Sequence, residues 1–142
     1  MIKANELRIG NFVSVNKGFE MLVHSIFQDD TLYLDFIPPL VNEADVWEVD
    51  AGDVSPIELT EEWLLKLGFE CIADCIDQKT FALKNRKSNY YYAVILDHEE
   101  IVLERKDING FYIIIWDERY FQYVHQLQNI YFALTGEELQ LK

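Results

Sequence analysis

Between Lys17 and Lys66 the chain has no lysine or arginine, yet it holds twelve carboxylates. Binding to a phosphate backbone takes roughly one cation per neutralised phosphate, so this absence excludes nucleic-acid binding from the first half of the chain. Cysteine is nearly absent as well, with only Cys71 and Cys75. A structural zinc takes four ligands, usually as two close pairs, and His24, His98 and His125 are scattered without paired spacing. The spacing argues instead for Cys71 as a small core residue and Cys75 as part of the following turn. With so few thiols, a reduced, cytoplasmic protein is the economical reading. The six glycines stand singly, which leaves no loop to cradle a phosphate. No serine occupies a Gly-x-Ser-x-Gly elbow, and no acidic loop has EF-hand spacing. No apolar run approaches the roughly 20 residues that cross a bilayer. Met1-Ile2-Lys3-Ala4-Asn5-Glu6 lacks the apolar stretch of a secretory leader, so none is expected. Neither cofactor nor metal is expected.

What is present describes a folded, acidic protein. Of 142 residues half are apolar and 14% aromatic, enough for a real core in one ordinary domain or two very small ones. The net charge of −13 favours solubility and repels polyanions and anionic membranes. It is unevenly shared: residues 1–70 carry four bases and fourteen acids, residues 71–142 eight and eleven. Such asymmetry points to two modules.

The first module reads as short strands. Phe12–Val15 follows Gly10-Asn11, and Phe19–Phe27 follows the hairpin turn Asn16-Lys17-Gly18. Asp29-Asp30 breaks the chain before Thr31–Ile37, which Pro38-Pro39 ends because neither proline can donate to a ladder. Val46–Val49 and Asp53–Ser55 complete the set. Five short strands over 1–58 suit a small, curved antiparallel barrel. The opening Leu7-Arg8-Ile9-Gly10-Asn11-Phe12-Val13 resembles the first strand of Src-homology-3-like or Tudor-like barrels.

A second module follows over 59–142. Thr60 is a good N-cap for a helix Glu61–Leu67, Glu61 and Glu62 suit its positive end, and Gly68 suits the position just past it. Five strands are then expected, Phe69–Ala73, Thr80–Lys84, Tyr90–Leu96, Glu100–Arg105 and Phe111–Trp116, separated by polar turns, which implies an antiparallel meander. Tyr90–Leu96 and Ile113-Ile114-Ile115 are apolar on both faces, so both should be central and covered. The cover is a closing helix over 118–135, with a stripe of Tyr120, Val124, Leu127, Tyr131 and Leu134. Asp117 should start it and Gly136 end it; Gln122, Gln126 and Asn129 are left for water, with His125 and Gln128 at the border. The fold class is therefore α+β: a barrel, then an antiparallel sheet packed by a C-terminal helix.

Three segments carry a family mark: Ala4–Asn11, Pro56–Phe69 and the closing Tyr123-Val124-His125-Gln126-Leu127-Gln128-Asn129-Ile130-Tyr131-Phe132-Ala133-Leu134-Thr135-Gly136-Glu137-Glu138-Leu139. The closing segment resembles the C-terminal signature of short uncharacterised proteins encoded by prophages and mobile elements of gut anaerobic bacteria. The resemblance implies that provenance and no activity, so it assigns no site residue.

The candidate sites are few. Asp97-His98-Glu99-Glu100 is the densest titratable cluster, but it falls where a hairpin turn belongs. A catalytic His98 or His125 would need an orienting carboxylate and a nucleophile, and the sequence nominates neither. Lys84-Asn85-Arg86-Lys87-Ser88-Asn89-Tyr90-Tyr91-Tyr92 is the one basic run followed by aromatics, the pairing that single-stranded nucleic-acid platforms use. With Arg105 and Lys106 it defines a candidate surface of Lys84, Arg86, Lys87, Tyr91, Arg105 and Lys106. The function expected is a non-catalytic cytoplasmic binding or accessory protein acting on a protein partner of basic character, as a monomer or weak homo-oligomer. The alternatives are a nucleic-acid module built on Lys84–Tyr92, or an acidic mimic of DNA that occupies a DNA-binding enzyme. The acidic stretch also reads as a plain solubility surface.

Overall fold

A computed structural model of the chain describes residues 2–15, 18–37, 46–97, 100–110, 112–116 and 122–142. The described residues form an α+β fold, with ten strands in two antiparallel sheets and two α-helices, α1 (Glu61–Lys66) and α2 (Val124–Thr135). The chain divides into two units. One comprises Met1–Glu58 with Tyr123–Ala133, the other Leu59–Gln122 with Leu134–Lys142.

The first unit contains β1 (Phe12–Val15), β2 (Phe19–Ile26), β3 (Thr31–Phe36), β4 (Val46–Asp50) and β5 (Val54–Ser55), ordered β4-β3-β2-β1-β5. Alternate residues point to one face. Val13, Val15, Met21, Val23, Leu32 and Leu34 thereby meet in one buried cluster with Ile2, Leu7, Ala51 and Val54. The β2–β3 turn is tight enough to put Asp30 in the left-handed region, at φ 64°. The Asn16-Lys17 turn and Pro38-Pro39 lie outside the described residues.

Helix α2 belongs to this unit as far as Ala133, which corrects the expectation that it covers the second sheet. Its length differs too. At its start, Val124 N donates to the Ile57 carbonyl (2.9 Å) and Tyr123 bridges Glu58, so Gln122 and Tyr123 stand outside the helix. Gln126 then accepts from the Tyr123 N–H at 3.1 Å, the N3 side chain reaching back to the cap residue. The expected cap Asp117 and the stripe residue Tyr120 lie outside the described residues. Val124, Leu127 and Tyr131 are buried as the stripe requires, while Leu134 is exposed.

In the second unit, β6 (Glu70–Asp74), β7 (Gln78–Lys84), β8 (Tyr91–Asp97), β9 (Ile101–Lys106) and β10 (Tyr112–Trp116) form the expected meander, ordered β10-β9-β8-β7-β6. Strand β8 is interior, with Tyr92, Ala93 and Val94 buried. Strand β10 is not; it is an edge, and Tyr112, Ile113 and Ile114 are all more than half exposed. A run apolar on both faces was read as central, but the pattern does not record how many neighbours a strand has. Cys71 corrects likewise: it is exposed on the edge strand β6, beside an irregularity in the pairing with β7.

Helix α1 follows its local signals at both ends. Trp63 N donates to Thr60 Oγ1 at 3.3 Å, and Lys66 pairs with Glu62 at 3.1 Å. At the C-terminus Phe69 N reaches the Leu64 carbonyl and Gly68 N the Leu65 carbonyl, the two bonds of a Schellman motif. The motif needs a left-handed residue, and Gly68 supplies it at φ 89°. Gly68→Ala should cost about 1 kcal/mol, the penalty for a Cβ in that conformation, since the added methyl would meet nothing closer than Leu83 at 3.8 Å. Chemical denaturation measures this; no loss would show that the helix end can relax.

Candidate functional site

The register of the second sheet sorts the candidate residues. Lys84 faces Tyr91, Tyr91 faces Lys106, and Lys106 faces Tyr112. Residues directly opposite in antiparallel strands project to the same side, so these four form one row, lysine and tyrosine alternating across β7, β8, β9 and β10. The neighbouring row places Ala82 opposite Ala93, and those small side chains leave a depression of about 440 Å³. Ala82 and Ala93 floor it, with Ile72, Lys84, Tyr91, Lys106 and Asp107 around it.

Arg105 is not part of this row. Adjacent strand residues point to opposite faces, and Arg105 stacks on Tyr90 with its guanidinium carbon 4.4 Å from the ring centroid. A single basic face of Arg86, Lys87, Arg105 and Lys106 is therefore not what the sheet builds. Arg86 and Lys87 sit in the β7–β8 turn, where Lys87 Nζ lies 3.3 Å from Glu137. That turn is organised by a residue the sequence reading passed over. Asn85 is buried, and its Oδ1 accepts from Lys87 N, Ser88 N and Ser88 Oγ, while its Nδ2 donates to Glu137. An Asn ahead of a polar turn is a readable Asx signal.

The charges around the depression do not add up to a cationic surface. Lys84 Nζ stands 5.8 Å from the Tyr91 ring centroid, and Lys106 Nζ lies 3.9 Å from Glu104. Glu70 and Asp107 line the same depression, so its two lysines face an equal number of carboxylates there.

The remaining candidates are separated. His98 and Glu99 lie outside the described residues; their neighbours close as a hairpin, with Asp97 N donating to the Glu100 carbonyl at 3.1 Å. His24 is exposed and bonds Ser25 Oγ. His125 is buried in α2, stacked on Tyr123 at 5.9 Å, with no hydrogen-bond partner on either ring nitrogen among the described residues. Burial pushes its pKa down; Glu6 pulls the other way with less effect. An imidazole without an orienting partner has no fixed tautomer with which to exchange a proton. Among the described residues no three His, Cys, Asp or Glu groups gather as metal ligands, and no helix is long and apolar enough to cross a membrane.

The densest polar constellation lies where water was expected. On α2, Gln128 is buried; its Oε1 accepts from Phe12 N at 2.8 Å and its Nε2 donates to the Gly10 carbonyl at 2.9 Å. Asn129 Oδ1 accepts from Asn11 Nδ2 (2.8 Å) and Arg8 Nε (3.1 Å), and its Nδ2 donates to the Glu6 carbonyl (3.0 Å). Arg8 also lies 4.2 Å from the Phe132 ring centroid. Two of the segments that carry the family resemblance, Ala4–Asn11 and the closing signature, are thus bonded directly to each other. The third joins them through Ile57–Val124 and the Glu58–Tyr123 bridge. These residues tie α2 to the start of the chain. Compared with family models, curated proteins and solved structures, the chain matches none.

Proposed function

We propose that this is a non-catalytic binding protein of phage or mobile-element origin, working in the cytoplasm through contacts with a basic protein partner. The observation that carries the reading is the cation-free stretch between Lys17 and Lys66. Its described carboxylates stand on the strands of the first sheet, in the connections between them and at the start of α1, and the segment itself supplies no base. Two of them are paired from outside it, Glu62 by Lys66 and Glu61 by Lys79; the pairs Lys87–Glu137 and Lys106–Glu104 involve carboxylates of the second half of the chain. Strand order β4-β3-β2-β1-β5, with a very short last strand against the first, supports a Src-homology-3-like barrel for the first unit. The test is affinity capture on the full chain from nuclease-treated host lysate at graded salt. A basic protein should be retained at low ionic strength and released near 0.5 M, where charges a few ångströms apart are screened. Salt-indifferent capture, or capture of nucleic acid before nuclease treatment, would argue against it.

A second reading has one observation in its favour, the alternating Lys84–Tyr91–Lys106–Tyr112 row, which offers rings for stacking beside cations for phosphates. It predicts that single-stranded oligonucleotides bind and that Tyr91→Ala weakens them. The carboxylates around the row favour no binding at moderate salt.

A further inference from the structure

The inner face of the first sheet ends in three aromatic rings. Phe36 stands opposite Met21, Trp47 opposite Leu34, and Phe19 lies two residues before Met21, so all three project to the side of the buried core. Phe36 and Trp47 meet edge to face at 5.3 Å, and Phe19 leans on Trp47 at 6.2 Å. Yet Phe19 is 56% exposed and Trp47 36%, because Trp47 lies on β4 at the sheet edge and Phe19 at the very start of β2. Folding leaves these ring surfaces in water, an arrangement that marks contact sites when the rings are contiguous.

Each ring has a carboxylate as its chain neighbour: Phe19-Glu20, Asp35-Phe36 and Trp47-Glu48. Adjacent side chains point to opposite faces, so these acids leave the rings open while remaining within about a Debye length of them. Electron-rich ring faces in a field of negative charge attract a cation, and the attraction grows as water is displaced. A planar, weakly hydrated guanidinium suits such faces better than an ammonium. Among the described residues, Arg8 on Phe132 and Arg105 on Tyr90 stack at 4.2 and 4.4 Å, closer than the lysine contacts, Lys66 on Trp63 at 4.8 Å and Lys84 on Tyr91 at 5.8 Å.

We infer that the Phe19–Trp47–Phe36 rim is the docking point for an arginine-bearing segment of a protein partner. The inference rests on the basic-partner reading above and locates it on particular rings. Arginine side chains stack on Trp47 and Phe19, while Glu20, Asp35 and Glu48 supply the long-range pull.

The experiment uses the full chain and a fluorescently labelled arginine-rich peptide, followed by anisotropy at 50 mM salt. Its companion is the same peptide with every arginine replaced by lysine. Trp47→Leu and Phe19→Leu keep apolar bulk and remove the π face; thermal unfolding checks that each is folded. The expected result is at least a fivefold loss of arginine-peptide affinity in either variant, and weaker binding of the lysine peptide to the natural chain. Should Trp47→Leu fail to fold, Phe19→Leu alone decides the matter. If the natural chain binds the peptide and the leucine variants bind it equally well, the rim is not the site, though the acidic-surface reading survives. If both peptides bind alike, the ring contact is refuted and charge alone acts. If the natural chain binds neither, site and basic-partner reading fall together.

Discussion

Replacing Gln128 by leucine should lower stability by about 3 kcal/mol, one of the largest effects of any single substitution in this chain. The side chain is nearly isosteric and the position is buried, so an apolar residue would seem at home there. The loss comes from the other side of the contact. The carboxamide satisfies the buried Phe12 N–H and the partly buried Gly10 carbonyl, and a leucine in its place pairs neither. A buried backbone group left unpaired costs about 1–3 kcal/mol, and two are exposed to that penalty. For a domain whose total stability is of order 5–15 kcal/mol, this is a large share. Chemical denaturation should show a lower midpoint with an unchanged slope. Gln140→Leu, at an exposed position near the chain end, should change stability by less than about 0.5 kcal/mol. A loss below about 1 kcal/mol for Gln128→Leu would mean that the helix does not depend on this clip.

That contact also shows where sequence reading reaches and where it stops. Helix α1 was legible at both ends because Thr60, Lys66 and Gly68 act within one turn of themselves. The meander of the second unit was legible because its turns are local and polar, the basic turn after Lys84 and Asp107 to Gly110 before β10 among them. What α2 packs against was not legible. An amphipathic stripe states that a helix has a buried side, not which surface buries it. Gln128 and Asn129 were assigned to the border and to water because polar residues in mid-helix usually go there. Their partners are largely backbone atoms of Glu6, Gly10 and Phe12, which leave no mark in a side-chain pattern and lie well over a hundred residues away. One signal was available. Val124, Gln128 and Tyr131 are spaced four and three apart, so a helix that buries the first and last also buries the glutamine between them. A lone amide on an apolar stripe asks for a matching backbone pair.

The candidate surface is divided between two faces for a comparable reason. Spacing in sequence joined Arg105 to Lys106, but in a strand neighbours are divided between faces, and only the register shows that Lys106 belongs with Lys84 and Tyr91. The aromatic rim was hidden by the same distance. Phe19, Phe36 and Trp47 come from three strands, each with an ordinary apolar role, and only the sheet assembles them. Chemistry built from cross-strand neighbours is readable once pairing is known, and seldom before.

His125→Phe should stabilise the protein, and the gain should grow as the solution becomes more acidic. The imidazole is buried with both nitrogens unpaired, and phenylalanine keeps a flat ring for stacking on Tyr123. Near neutral pH, relief of the unpaired polar ring is worth on the order of 1 kcal/mol. The pH dependence follows from the direction of the shift. Burial holds the folded-state pKa below the ordinary histidine value of 6.5, so the neutral ring is favoured in the fold and the unfolded chain binds the proton more readily. His125 therefore imposes no proton-linked penalty well above 6.5, and stability falls as pH drops below that value, at up to about 1.4 kcal/mol per unit, until the folded-state pKa is reached. The Glu6 carboxylate raises the folded pKa and so shortens that window without reversing its sign. Unfolding free energies of the natural chain and His125→Phe, measured from pH 8 to pH 5, should be nearly parallel above 7 and diverge below 6.5, with the phenylalanine variant the more stable. Curves that stay parallel throughout, or a variant weaker at every pH, would show that the ring is reached by water or holds a partner the buried geometry does not provide.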